Sequence, residues 1–203
     1  MRKFKVFANF KKEESYLNEM AKKGYFLIKH SAFGFYHFAE GTPEELHYHV
    51  DHRKFKTQAD FEDYKALFED AGWRHVYGTK NSLNQYFLPK NGNKDDDIFS
   101  TKDSAALRYK HLNKICYANV TVAIGYLIAV LISCDFNLSN IGFLTPGLWE
   151  MSDAQFWRAF FLELPFVLFR TVPIALFLVM GIAYAVWGGK AKRIYSKMME
   201  DEK

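Results

Sequence analysis

The sequence predicts an α+β domain followed by a transmembrane α-helical hairpin. Three observations carry that reading. Strand and helix signals alternate over residues 1–92, the order strand–helix–strand–strand occurs twice, and charge almost vanishes between residues 115 and 189. The expected domain is a cytoplasmic antiparallel sheet of about six strands with both helices on one face, a ferredoxin-like variant.

The first unit opens with a short apolar strand, Phe4 to Phe7. Glu13 to Lys23 follows as a helix, because Tyr16, Leu17, Met20 and Ala21 form an apolar stripe and Gly24 supplies a stop. Tyr25 to Ile28 and Phe35 to Ala39 are the next strands. Leu46, Tyr48 and Val50 then alternate with His47, His49 and Asp51, the period of a half-buried strand. Thr57 with Asp60 reads as a capping box that opens a second helix, with Phe61, Tyr64, Leu67, Phe68 and Ala71 on its apolar side. Gly72 ends it, and Trp73 to Tyr77 and Gln85 to Leu88 complete the domain. The two units align on Tyr16 and Gly24 against Tyr64 and Gly72, which suggests an internal duplication.

Residues 93–114 read as a linker and a juxtamembrane helix, with acidic Asp95–Asp97 in the linker. Residues 1–114 hold 20 basic and 16 acidic side chains, whereas residues 115–189 hold six charges. Ile115 to Cys134 is uncharged and twenty residues long, about 30 Å as a helix and enough for a hydrocarbon core. Thr171 to Trp187 is a second uncharged run, extended outward by Pro165 to Phe169. Arg108, Lys110 and Lys114 flank the first span, and Lys190, Lys192, Arg193 and Lys197 follow the second. Basic flanks stay in the cytoplasm. Both termini are therefore expected inside a multi-pass cell-membrane protein, with an outer loop over residues 135–163 and a basic tail over 190–203. No cleavable signal peptide is expected, since the first residues lack an apolar core. Within the loop, residues 152–163 read as an interfacial helix rich in aromatics, with Pro165 at a change of direction.

Whole-chain averages conceal this split. The 203 residues have a net charge of +4, 49% hydrophobic content and a mean hydropathy of −0.21. Those figures exclude a disordered chain. No Lys/Arg block stands out, so direct nucleic-acid binding is not expected. Two cysteines support neither a disulfide framework nor a Cys-rich zinc site. Gly125 with Ala129 and Gly181 with Ala185 are spaced for helix packing, within the hairpin or between copies in a homo-oligomer.

No catalytic constellation and no cofactor motif is present. His47, His49 and Asp51 share one side of a strand, with His37 on a possible neighbour, and these residue types suit a divalent metal. The same residues suit the polar side of an amphipathic strand, and no metal is assigned. Glu163 and Arg170 lie seven apart at the outer end of the second span, on one helical face if the helix continues through Pro165.

Several segments resemble the bacterial membrane-associated domain of unknown function family 2812: Phe4–Phe7, Glu13–Met20 with Gly24, Tyr48–Asp51, Tyr64–Trp73, Tyr86-Phe87, and Ile98–Ser100. His52 stands where the family tends to place an aromatic residue. The resemblance implies no enzyme activity. It implies a membrane hairpin as companion and a regulatory setting beside PadR-like transcriptional regulators.

The expected function is that of a non-enzymatic, membrane-anchored regulatory or sensory protein. Its cytoplasmic domain binds a protein partner or small ligand, and the lipid bilayer holds the hairpin. The alternative is an accessory subunit of a membrane transporter or membrane enzyme complex. A detached fragment of residues 1–97 is expected to stay folded.

Overall fold

A computed structural model describes residues 1–31, 34–91, 98–99 and 101–200. The expected linker over residues 93–97, with its acidic run, and the last three residues of the tail lie outside the described residues. The chain forms two compact units. Met1–Asn113 and Lys190–Lys203 make the first, and Lys114–Gly189 the second.

The first unit runs β1 (Arg2–Phe4), α1 (Phe10–Lys22), β2 (Tyr25–His30), β3 (Phe35–Glu40), β4 (His49–His52), α2 (Gln58–Asp70), β5 (Trp73–Tyr77) and β6 (Asn84–Pro89). Helix α1 starts three residues before the expected Glu13, because the Asn9 side chain accepts from Lys12 N at 3.3 Å and caps it there. The capping box at α2 forms as its sequence demands. Asp60 N donates to Thr57 Oγ1 and Thr57 N to Asp60 Oδ2, each at 3.1 Å. Gly24 follows the C-terminal cap of α1 at φ 80°, with the Gly41 carbonyl oxygen 2.4 Å from where a Cβ would sit.

The expected single sheet is divided. Strands pair antiparallel in two three-stranded sheets, β1-β3-β2 and β4-β6-β5. In each, the last strand sits between the two that flank the helix, a split β-α-β arrangement. Edge strands β2 and β5 approach each other. Both are irregular: register shifts fall between Leu27 and Lys29 and between His75 and Tyr77. A bulged edge does not present a regular row of donors and acceptors, which explains the break.

The helices do not share one face either. Tyr86 and Leu88 of β6 pack with Leu17, Leu27, Tyr36 and Tyr48, whereas Phe87 packs with Phe61, Tyr64 and Trp73. Alternate residues of β6 thus enter separate cores, with α1 on one side and α2 on the other. Gln85 to Leu88 is buried throughout, the pattern of a strand covered on both faces.

Residues beyond 92 complete this unit. The first turns of α3 (Lys102–Ser133) bury Ala105, Ala106 and Tyr109, and Tyr109 joins the core that holds Leu17 and Tyr36. Leu112, Ile194, Tyr195 and Met198 pack against the same core. The segment read as a juxtamembrane helix is therefore partly core, and so is the tail.

The second unit contains the rest of α3, two single 3₁₀ turns (Leu138–Ile141 and Leu148–Glu150) and most of α4 (Asp153–Glu200). Pro165 does not redirect the chain, because α4 continues through it and through Pro173. Proline keeps a helical φ and costs one N–H, which apolar helices tolerate. Tyr126 stacks on Phe177 with ring centroids 4.1 Å apart, and a Cβ on Gly181 would stand 3.2 Å from that of Ala123. Gly125 meets open space instead. The Glu163 carboxylate accepts from the backbone N–H groups of Leu144 and Thr145 and from the Thr145 hydroxyl, so it pins the connecting loop. Arg170 stands 3.8 Å from it. Both α3 and α4 are long and apolar enough to cross a membrane. Ile124, Ile128, Phe169, Leu176 and Val179 are exposed, opposite to the buried stripe of a soluble core helix.

Because Tyr109, Leu112 and Ile194 to Met198 complete the main core, a fragment of residues 1–97 is expected to lose cooperative unfolding and to bind a hydrophobic dye. Near-UV circular dichroism and dye fluorescence check this; a sharp thermal transition in that fragment would show that the later residues are dispensable.

Candidate functional site

Helix α1 places two adjacent carboxylates in different surroundings. Glu13 falls on the apolar stripe with Leu17, Met20 and Ala21 and is 1% exposed. Tyr36 of β3 and Tyr86 of β6 each donate a hydroxyl hydrogen bond to its Oε1 at 2.7 Å, and Asn84 Nδ2 donates at 3.3 Å. One carboxylate thus joins both sheets. Burial raises its pKa, against the opposing hydrogen bonds from Tyr86, Tyr36 and Asn84. His30 stacks on Tyr36 at 4.3 Å and places Nδ1 2.7 Å from the Tyr86 oxygen. The Tyr86 proton goes to Glu13, so His30 Nδ1 is the donor in that bond. Burial lowers the His30 pKa to about 4.

Glu14 serves the edge of the second sheet. Its Oε1 accepts from Val50 N at 3.1 Å and from Arg108 NH1 at 2.7 Å, and Arg108 NH1 also donates to Val50 O at 2.6 Å. An acid and a base therefore satisfy the outward backbone groups of edge strand β4. Arg108 is 4% exposed, and its guanidinium lies over Phe99, Phe10 and Tyr109 at 4.9, 5.2 and 5.5 Å. Its Nε has no hydrogen-bond partner among the described residues. The sequence reading counted Arg108 among the basic flanks of the first span; it is a buried ion-pair partner.

Beside this pair lies a cavity of about 410 Å³. Asp51, His52, Arg53, Ser104, Arg108 and His111 supply its polar wall, and Leu67, Phe68, Ile98, Phe99 and Leu107 its apolar wall. Asp51 is already engaged, accepting from the Tyr64 hydroxyl at 2.7 Å and from His52 N at 2.8 Å. His52 Nδ1 lies 2.7 Å from Asn84 Oδ1. Since Asn84 Nδ2 faces Glu13, its oxygen faces His52 and the proton sits on Nδ1. Burial lowers the His52 pKa, so the ring is neutral and Nε2 carries a lone pair. Nε2 is buried and has no partner among the described residues. Ser104 bonds Thr101 Oγ1 at 2.9 Å rather than an imidazole.

The residues singled out as metal candidates lie in three different surroundings. Asp51 bonds Tyr64, and His49 meets Trp73 edge to face at 4.9 Å. His47 lines a second cleft with Glu44, Arg74 and Lys90. His37 is not on a neighbouring strand: it pairs with Arg2 and Lys29 in the first sheet, whereas β4 pairs with β6. On the expected polar strand side Asp51 is buried against Tyr64 of α2, while His52, on the opposite face, is buried beside Phe10 of α1. No group of three His, Cys, Asp or Glu side chains is placed to hold a metal among the described residues. Sequence reasoning missed Glu13, Glu14, His52, Arg108 and His111. For Glu13 the signal was its place on the Leu17–Met20 stripe.

Replacing Glu13 with Ala leaves two buried tyrosine hydroxyls without an acceptor. An expected loss is about 2–4 kcal/mol, with Glu13→Gln within about 1 kcal/mol of the native chain because the amide oxygen still accepts. Urea unfolding of the detergent-solubilised full chain checks the order. His30 is expected to titrate near pH 4 by imidazole NMR. Its lowered pKa means the unfolded chain binds the extra proton first, so its contribution is complete above about pH 6.5 and is lost as pH falls toward 4. Glu13 acts with the opposite sign, and His30→Phe should flatten the loss between those limits.

A family model described as "Protein of unknown function (DUF2812)" matches residues 9–121, a range that includes every polar residue of the cavity wall. No curated protein matches the chain, and no solved structure does.

Proposed function

The chain belongs to the DUF2812 family, and from that premise we propose a non-enzymatic, membrane-anchored regulatory or sensory protein whose α+β domain recognises a small ligand. The single observation that carries this reading is the position of the cavity. Ser104, Leu107, Arg108 and His111 of α3 form part of its wall, and the same unbroken helix continues into the apolar stretch. A molecule in the cavity touches the helix that anchors the chain. Asp51 and Ser104 of the wall are bonded to Tyr64 and Thr101, which is compatible with recognition.

The α+β domain is cytoplasmic on this reading, and α3 and α4 form a two-span hairpin. Two arguments support that topology. The domain core takes side chains from before the first apolar stretch and after the second, Leu17 and Ile194 among them, which favours an even number of crossings. Lys110 and Lys114 precede the first apolar stretch and Lys190, Lys192 and Arg193 follow the second, a distribution that favours those ends inside. Arg108 drops out of that count because it is buried against Glu14. Trp149, Trp157 and Phe161 are exposed around the connecting segment and suit the outer interface. Regulation passes to a partner, in the membrane or beside it.

An impermeant thiol reagent on intact cells tests the topology. A cysteine at Ser139 should be labelled and one at Ser82 should not; labelling at Ser82 would reverse the orientation. Purification in mild detergent tests the partner. A stoichiometric integral-membrane partner would favour an accessory subunit over a free-standing sensor.

A further inference from the structure

We propose that the cavity takes an uncharged amphiphile whose polar head both accepts and donates a hydrogen bond, as a primary carboxamide does. This rests on the ligand-binding reading above and specifies the ligand's chemistry.

Three buried side-chain atoms have no hydrogen-bond partner among the described residues, and two of them belong to this cavity's wall: Arg108 Nε–H is a donor without an acceptor, and His52 Nε2 is an acceptor without a donor. The third, His47 Nε2, belongs to the other cleft. Both side chains line the same cavity. Native proteins leave few such groups unmatched, because each costs the full loss of its hydration. A head with one acceptor and one donor matches both at once.

Charge argues for a neutral head. Arg108 is already paired with Glu14 at 2.7 Å. Asp51 holds the Tyr64 hydroxyl, and the Arg53 guanidinium lies over the Tyr64 ring at 5.4 Å. A carboxylate would meet the lone pair of His52, the Arg108 charge is already answered by Glu14, and Arg53, the other arginine of the wall, is exposed and hydrated. An ammonium would meet Arg108. Phe68, Ile98, Phe99 and Leu107 then supply an apolar wall for an aromatic or short acyl tail.

The test uses the full chain in zwitterionic lipid nanodiscs, titrated calorimetrically with empty discs subtracted. The probes are hydrocinnamamide, its N,N-dimethyl amide, which lacks the donor, and hydrocinnamate, which is charged. Hydrocinnamamide should bind saturably and about tenfold more tightly than either comparator, the usual consequence of one unmatched buried group. Leu107→Trp, at an exposed rim position, should weaken it about tenfold by filling the cleft. His52→Phe should bring the two amides within about twofold of each other. Where that variant fails to fold, nitrogen NMR of the native chain replaces it, since His52 Nε2 should shift with the primary amide only.

Equal binding of the two amides, or binding untouched by Leu107→Trp, overturns the proposal. Tighter binding of hydrocinnamate that Leu107→Trp abolishes also overturns it, while leaving the cavity a ligand site for anions. Absence of saturable binding for all three probes rejects both the ligand class and the ligand-binding reading.

Discussion

The buried Glu13 carboxylate is the constraint on which the first unit depends. Among the described residues no ladder of backbone hydrogen bonds joins the two sheets. Glu13 links them by taking one tyrosine hydroxyl from each, Tyr36 and Tyr86. Its second consequence runs through Asn84. By accepting from the Asn84 amide nitrogen, Glu13 turns the Asn84 oxygen toward His52 and so sets the proton on that ring. A charge-bearing group in an apolar interior is costly, and three hydrogen bonds offset the cost only while both sheets stay in place. The polar centre therefore specifies one arrangement of two sheets that their apolar faces alone would leave loosely defined.

Local signals in the sequence predicted the elements well. Thr57 with Asp60 marked the start of α2, and Gly24 and Gly72 marked where α1 and α2 stop, both with positive φ. Asn9 was a readable cap that the apolar pattern, which begins with Tyr16, drew attention away from. The arrangement of layers was less legible. Gln85 to Leu88 is a run of buried residues rather than an alternation, and that pattern already implied cover on both faces. The bulges in β2 and β5 have no sequence marker, since they arise from how each strand meets its own partner.

Charged residues misled most. Glu13, Glu14 and Arg108 are ordinary members of a charged half when counted along the chain. Counted by helical position, Glu13 shares the stripe of Leu17 and Met20. Arg108 follows Ala105 and precedes Leu112 on the inner side of α3, and its partner Glu14 lies far away in sequence. Ion pairs of that kind are set by tertiary approach, which local periodicity does not encode. The second unit was legible for the opposite reason. A long helix with almost no charge and outward apolar side chains is a statement about solvent, and composition records solvent directly.

The packing of Ile194, Tyr195 and Met198 against the core of residues 1–113 also orders events in time. The ribosome releases Glu13, Tyr36 and Tyr86 well before Ile194, Tyr195 and Met198, which complete the same core. The fold of residues 1–113 is therefore finished only after both apolar helices have been synthesised. Until then its sheets stand with one wall missing, so completion of this fold reports that both apolar helices have been made.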